Sequence, residues 1–500
     1  MQTNILDYMN ESLARVPDKV AFVSNEESLT FKEFGDKVKR VGSYLIKKDI
    51  YRQPIIVFME KQPSTIATFF GVIAGGNYYI PIDAEMPAIR IQLIIDNVKP
   101  PLIICDDNTL ANAKEFNFDG EIVLFKDVVK TDIDEAGLSR VYDDTLDTDP
   151  TYIVFTSGST GIPKGVTACH RAVIDYIEQL TLVIEADENS VFGNQTPLYV
   201  DACLKEIIST LKFGGTTYLI PKEYFMFPIK LVEYMNENKI NTVCWVVSAL
   251  TMISAFDTFK TVKPEYLRCI AFASEVFPIK QFKKWKAAVP DAKYINLYGP
   301  TEATGVCCYY VVDREFEDDE VIPCGRPFKN RQLLLLDDNG NKVPQGEVGE
   351  ICIRGTTLAL GYYNNPEKTK EAFVQNPLNP FYPERIYKTG DLGRINANGE
   401  LEFVSRKDYQ IKHMGHRIEL GEIEINVNSF DGIKMSGCVY DKEKGKIILF
   451  YTGDMAEKDL TALLKEKLPR YMIPNRVRKI EAMPFTSNGK LDRNKLLSMK

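Results

Sequence analysis

Residues 152–166 read YIVFTSGSTGIPKGV, a hydrophobic run that empties into a loop of Ser, Thr and Gly and ends in Pro-Lys-Gly. The backbone N–H groups of such a loop, through Gly158 and Gly161, form a concave donor surface. The hydroxyls of Thr156, Ser157, Ser159 and Thr160 and the point charge of Lys164 extend it, and the whole suits phosphate oxygens. No Gly-Lys-Ser/Thr closes the loop, and Pro163 stands where a Walker A motif would enter its helix, so an ordinary P-loop is disfavoured. The plain alternative is a solvated Ser/Gly turn after a buried strand. The Thr-Ser-Gly-Ser-Thr-Gly order with its Pro-Lys-Gly end weighs against that.

The surrounding chain is globular in composition. It has 500 residues, 45% of them hydrophobic and 26% charged, enough for large cores and more than one domain. A net charge of −8 argues against a mainly electrostatic partner such as nucleic acid or an anionic membrane. The N-terminus lacks a basic start with an apolar core, and the longest apolar stretch, around IATFFGVIAGG, is too short to span a bilayer, so a cytoplasmic location is expected. Ten cysteines without CxxC pairs read as reduced packing residues, and three histidines do not suggest a three-His metal site.

Nearly all-apolar runs recur over roughly the first 320 residues, among them IIVFME, NYYIPI, PLIICD, NTVCWVV and CIAFAS. Amphipathic stretches such as PIKQFKKWKAAV separate them, the pattern of α/β layers with strands buried on both faces. Then come hairpin signals, LLLLDDNGNKV and GRINANGELEFV, each with an Asn-Gly turn, predicting a smaller β-rich subdomain. Beyond the charged SRKDYQIKHMGH stretch, strands and helices alternate again. The chain is therefore expected to divide into a large domain over 1–407 and a small α+β domain over 408–500.

Four further stretches complete a set with the opening loop: NLYGPTEAT (296–304), YKTGDLGR (387–394), SRKDYQIKHMGHRIELGEIE (405–424) and NGKLDR (488–493). In this order, and with LTFKEF and GGNYYIPID upstream, the chain resembles the adenylate-forming enzymes, specifically the amino-acid-activating adenylation enzymes that load carrier proteins. The resemblance implies the adenylate-forming fold. That fold has layered α/β subdomains and a β-rich subdomain in a large N-terminal domain, with a small mobile C-terminal lid. It also implies ATP and Mg²⁺ as cofactors.

The resemblance assigns roles that the chemistry of the residues suits. Tyr298 offers a face for adenine and Asn296 a paired donor and acceptor for the base edge, with Gly299 beside them. Thr301 would donate to the α-phosphate and Glu302 would ligate Mg²⁺. Asp391 would accept from the ribose hydroxyls, with Arg406 near the same sugar. Lys490 is the cation that offsets charge as a carboxylate attacks the α-phosphorus. Lys164 is placed with it in the chemistry, and Asp408 falls at the hinge of the lid. His170 reads as structural.

For the acid that is activated, Asp201 in PLYVDACLKEI stands where amino-acid-specific members hold the substrate α-ammonium. Motif alignment adds Ala202, Lys205, Trp245 and Ile270, then Phe272, Leu297, Gly305 and Val306. Bulky Trp245 and Phe272 point to a small side chain, and the closest subgroup resembles D-alanine:carrier protein ligases. Lys205 opens two alternatives: it pairs with an acidic substrate side chain, or it snorkels out of the pocket. Another aliphatic amino acid is a third. The sequence closes seven residues after Arg493, so the acceptor thiol is expected on a separate carrier protein's phosphopantetheine or on coenzyme A, and the chain is expected to be a monomer. A small-acid coenzyme A ligase and an inactive adenylate-binding regulator are the rival classes. Asp201 argues against the first. The retention of Lys164, Glu302, Asp391 and Lys490 argues against the second.

Overall fold

A computed structural model describes residues 2–158, 162–407, 410–485 and 491–500. Of the expected site residues, Ser159, Thr160, Gly161, Asp408 and Lys490 lie outside the described residues.

The apolar runs form strands as their patterning predicts. Pro54–Phe58 and Cys269–Ala273 are buried at every position, which requires cover on both faces of a sheet. A nine-stranded sheet has at its centre Lys293–Tyr298, Cys269–Ala273, Thr242–Val246, Val191–Asn194, Thr216–Leu219 and Val20–Val23, all parallel. Antiparallel strands close its edges. A seven-stranded sheet contains Tyr78–Pro81, Pro54–Phe58 and Leu102–Cys105, and the strand Pro150–Thr156 that feeds the Ser/Gly loop.

The two faces of the nine-stranded sheet belong to different cores. On one face Cys244, Ala271, Ala273, Ile295 and Leu297 meet the helices His170–Val183 and Leu204–Phe213 through Tyr176, Ile177, Leu204 and Ile207. On the other, Val243, Trp245, Ile270, Phe272 and Tyr294 meet the helices Val247–Ala255 and Ile279–Ala288 through Leu250, Phe282 and Trp285. This split follows from the strand period of two.

The β-rich part is a five-stranded antiparallel sheet. The Asn398-Gly399 turn joins two of its strands as a hairpin, with Ile395 opposite Leu401. The Asn339-Gly340 turn instead closes a single bridge from Leu336 to Lys342, because the strand that pairs with Arg331–Leu336 begins only at Gly349.

The chain divides into two compact units: Met1–Ala84, Val98–Val154 and Gly165–Lys407 in the first, and Glu85–Asn97, Phe155–Lys164 and Asp408–Lys500 in the second. In the second, Ile433–Asp441 and Lys446–Gly453 pair antiparallel, Arg476–Lys479 joins in parallel, and Leu420–Asn428 and Glu457–Lys467 cover the sheet. Within that unit Arg90 is buried in an ion pair with Glu422 on the Leu420–Asn428 helix. All ten cysteines are free and buried. No helix among the described residues is long and apolar enough to cross a membrane.

His170, read as structural, opens the helix His170–Val183 and is buried, with its Nδ1 accepting from the Ile5 backbone N–H at 3.1 Å. Burial pushes its pKa down to about 4, against the opposing pull of Asp149, Asp7 and Asp147. An unfolded histidine titrates near 6.5, so between these values the unfolded chain binds more protons. Stability is therefore full above the unfolded value and falls as the pH drops towards 4, by roughly 3 kcal/mol. Denaturant titrations at neutral and mildly acidic pH are expected to show a smaller loss in His170→Asn than in the wild type. Equal losses would show that His170 is not a titrating group of the fold.

Candidate functional site

The strand ends of the nine-stranded sheet carry two turns that converge. Asp201 opens the short 3-10 turn Asp201–Cys203, which runs into the helix Leu204–Phe213, and Thr301 opens a second such turn beyond Lys293–Tyr298. Asp201 is 8% exposed. Its Oδ1 accepts from Thr301 Oγ1 at 3.2 Å and its Oδ2 from the Gly305 N–H at 3.1 Å. Burial raises the carboxyl above the usual carboxylate range, while the Lys205 charge and these two donors pull it back. Such a group is incomplete without a close cation. Gly305 could not be another residue: its φ is +83°, and a Cβ there would meet the Tyr176 ring at 2.6 Å.

The expected lining divides across the sheet. Leu297 and Val306 belong to the same core as the helix that follows Asp201, and Ala202 is half-buried beside it. Trp245, Ile270 and Phe272 belong to the opposite core, where Trp245 Nε1 donates to the Gly193 carbonyl at 2.6 Å and Phe272 packs on Phe277. This corrects the sequence reading: neighbouring side chains on a strand point to opposite faces, so these three do not narrow the Asp201 side. Cys244, Ala271 and Ala273 stand there instead, and all three are small. Lys205 is buried at 4% exposure, and its charge is felt by Asp201, Glu206 and Cys244.

Sequence reasoning missed Glu206 and Lys61. Glu206 is fully buried, receives Asn194 Nδ2 at 3.4 Å, and is pushed up to about 7 by burial. Lys61 donates to the carbonyls of Asn194 and Gln195 at 3.0 and 3.2 Å. The adjacent Lys205 and Glu206 in an otherwise apolar helix pattern were the only signal for Glu206, and nothing in the sequence marked Lys61.

A second cluster unites three expected nucleotide-site residues. Asp391 Oδ2 accepts from Tyr298 Oη at 2.5 Å and Oδ1 from Arg406 Nη1 at 2.5 Å. The pairing of Arg385–Ile395 with Leu401–Arg406 sets Asp391 directly opposite Arg406. Asn296 differs from its expected role as an open base-edge group: its Nδ2 is committed to the carbonyls of Ile322 and Pro323 at 3.2 and 2.8 Å. Gly299, half-buried, follows the strand. Glu302 is fully buried, and its Oε1 accepts from Tyr362 Oη at 2.7 Å, a partner from LALGYYN that the sequence reading did not name.

The Ser/Gly loop falls in the second unit. Thr156 Oγ1 is buried without a partner, Ser157 Oγ donates to the Arg417 carbonyl at 2.8 Å, and the Gly158 N–H donates to Glu422 Oε2 at 3.3 Å. A Cβ on Gly158 would lie 2.1 Å from the Ile162 carbonyl oxygen, so glycine is required there. Lys164 opens the strand Lys164–Cys169.

The profile of the AMP-binding enzyme family matches residues 9–363. The chain is 32% identical to zwittermicin A synthase ZmaJ of Bacillus cereus, over 99% of this chain and 95% of ZmaJ. Other curated relatives, synthases at 29–32% identity, are far longer, and the chain spans only 6% to 45% of their lengths. Among solved structures it matches the Vibrio cholerae adenylation domain AlmE in complex with glycyl-adenosine-5'-phosphate, with TM-score 0.86, 20% identity, and 100% and 98% of the two chains covered. It also matches NpsA-ThdA, an artificially fused adenylation-PCP di-domain from Klebsiella oxytoca, with TM-score 0.82, 19% identity, and 96% and 94% covered. With the layered α/β sheets, the β-rich sheet and the motif residues gathered at the strand ends, the chain has the adenylate-forming fold and belongs to the AMP-binding enzyme family.

Proposed function

We propose that this chain is an ATP-dependent ligase that joins the carboxylate of an amino acid to AMP, releases pyrophosphate, and passes the aminoacyl group to the phosphopantetheine thiol of a separate carrier protein. The observation that carries this reading is the hydrogen bond from Thr301 to Asp201. It brings the residue suited to the α-phosphate against the carboxylate suited to an α-ammonium, the juxtaposition an aminoacyl-adenylate needs.

The substrate carboxylate is ionised at neutral pH, so the protein need only orient it and offset charge. One carboxylate oxygen bonds to the α-phosphorus as the bond to pyrophosphate breaks. Asp201 fixes the amine, Tyr298, Asp391 and Arg406 hold the nucleoside, the Ser/Gly loop binds phosphates, and Lys490 and Lys164 offset the charge. A thiolate sulfur then bonds to the carbonyl carbon, AMP departs, and the thiol proton passes to solvent. Mg²⁺ fits a single buried carboxylate such as Glu302, since it is commonly completed by phosphate oxygens and water, and when bound it would supply neutralisation of phosphate charge. A lid over 408–500 turning at Asp408, a cytoplasmic location and a monomeric state belong to the same reading.

The adenylation-PCP fusion and the glycyl-adenylate complex among similar structures support the carrier and amino-acid halves. D-alanine, the substrate favoured by the subgroup resemblance, keeps only that support once Trp245 and Phe272 are set aside. ATP–pyrophosphate exchange over both enantiomers of the amino acids, with acetate and short fatty acids as controls, tests the proposal. Exchange that depends on an amino acid is expected, and exchange with simple acids alone would overturn it.

A further inference from the structure

The β-rich sheet of the first unit borders a cleft of about 660 Å³ that none of the candidate nucleotide or substrate residues lines. Three neighbouring strands have ends at it: Arg331–Leu336, Gly349–Gly355 and Arg385–Ile395. Register sets Arg331 opposite Gly355. The pairing of Ile353 with Tyr387, carried two residues further, sets Arg385 opposite Gly355 from the other side. Directly opposite residues share a face of a sheet, so two arginines flank a position that has no side chain, their backbones two strand spacings or about 10 Å apart. Arg354 lines the same cleft.

The charges there do not balance. Glu384 is the one carboxylate of the lining, and it accepts from Arg354 Nη1 at 2.5 Å. Arg385 donates to the carbonyls of Ala359 and Leu360 and makes no ion pair with any described residue. Arg331 is only 7% exposed. Its Nε donates to Thr357 Oγ1 at 3.1 Å and its Nη2 reaches Asp175 at 3.4 Å, but its Nη1 is buried without a partner. Asp175 is shared, because Thr356 Oγ1 and Asn330 Nδ2 also donate to it. Burial pulls the Arg331 guanidinium below its usual value in spite of that carboxylate. Even with Asp175 counted, three guanidiniums meet two carboxylates. A water molecule would satisfy the orphan donor and leave the charge.

We infer that this cleft is a second anion site, which takes the phosphate group of a small ligand on Arg331 and Arg385. A guanidinium presents paired N–H groups that match phosphate oxygens. Aromatic faces support both side chains, Phe328 at 5.2 Å from Arg331 and Phe373 at 4.7 Å from Arg385. Leu358 and Leu360 add apolar surface for an organic body joined to the phosphate. The inference does not depend on which acid the chain activates.

The experiment is isothermal titration calorimetry of the full chain, saturated with AMP, with inorganic phosphate and with phenyl phosphate. Arg385→Gln is expected to weaken binding on the order of 10-fold. Glu384→Gln, which removes the competing carboxylate, is expected to tighten it a few-fold. Arg331→Met is expected to weaken it as Arg385→Gln does. Thermal melting shows whether that buried substitution folds, and the two more exposed variants carry the test without it. Tighter binding of phenyl phosphate would mark an organic phosphate ester as the ligand class, and equal binding would mark free phosphate. A wild type that binds neither probe, or binding that Arg385→Gln and Glu384→Gln leave unchanged, would overturn the inference and leave amino-acid adenylation untouched.

Discussion

Asp201→Asn is expected to abolish amino-acid-dependent exchange while leaving ATP binding intact. The substitution keeps the size of the side chain and one oxygen to accept from Thr301 or the Gly305 N–H, so the turn it opens should persist. What disappears is the negative charge facing a buried ammonium. Truncating one member of a desolvated charge pair costs about 2–5 kcal/mol, or roughly 30-fold to 5,000-fold in kcat/KM for the amino acid. The loss should fall mainly on KM, because the interaction is made in the ground state as well as the transition state. Exchange that survives at the wild-type level would show that the amine is bound elsewhere. A loss of ATP binding together with exchange would make Asp201 a structural residue.

Lys490→Ala is expected to cost a similar factor, distributed differently. The lysine offsets charge that develops only as the carboxylate and pyrophosphate exchange places on phosphorus, so kcat should fall by about 10²–10³ with little change in KM. Thiol transfer from a preformed aminoacyl-adenylate should continue, since in that step no bond to the α-phosphorus forms or breaks and no pyrophosphate departs. Unaltered pyrophosphate exchange in Lys490→Ala would refute the assignment. Equal loss of both half-reactions would place the lysine in substrate binding.

The fold was legible where the chain states it locally. CIAFA and PIIVF are apolar throughout and became strands buried on both faces, and the Asn398-Gly399 turn became a hairpin. The same local property hid the error in the lining. A strand buried on both faces has no polar side to mark its orientation, so nothing in NTVCWVV tells which of Cys244 and Trp245 faces Asp201. Only the helices that cover each face decide it.

Long-range partners were equally out of reach. Tyr362 meets Glu302 from sixty residues away, and Asn296 spends its amide on the carbonyls of Ile322 and Pro323. Asp391, Tyr298 and Arg406 were each chosen from separate motifs, but that one carboxylate clamps the other two side chains is a fact of register.

The buried cysteines have a bearing on fidelity. An aminoacyl-adenylate is a mixed anhydride that reacts with any thiolate it meets, and the acceptor in this reading is itself a thiol. All ten of the chain's cysteine thiols are buried. Cys244, on the Asp201 side of the sheet, is held by burial well above the usual thiol range, so it stays protonated and unreactive. In the proposed reaction the chain's own buried thiols would therefore not compete for the activated intermediate.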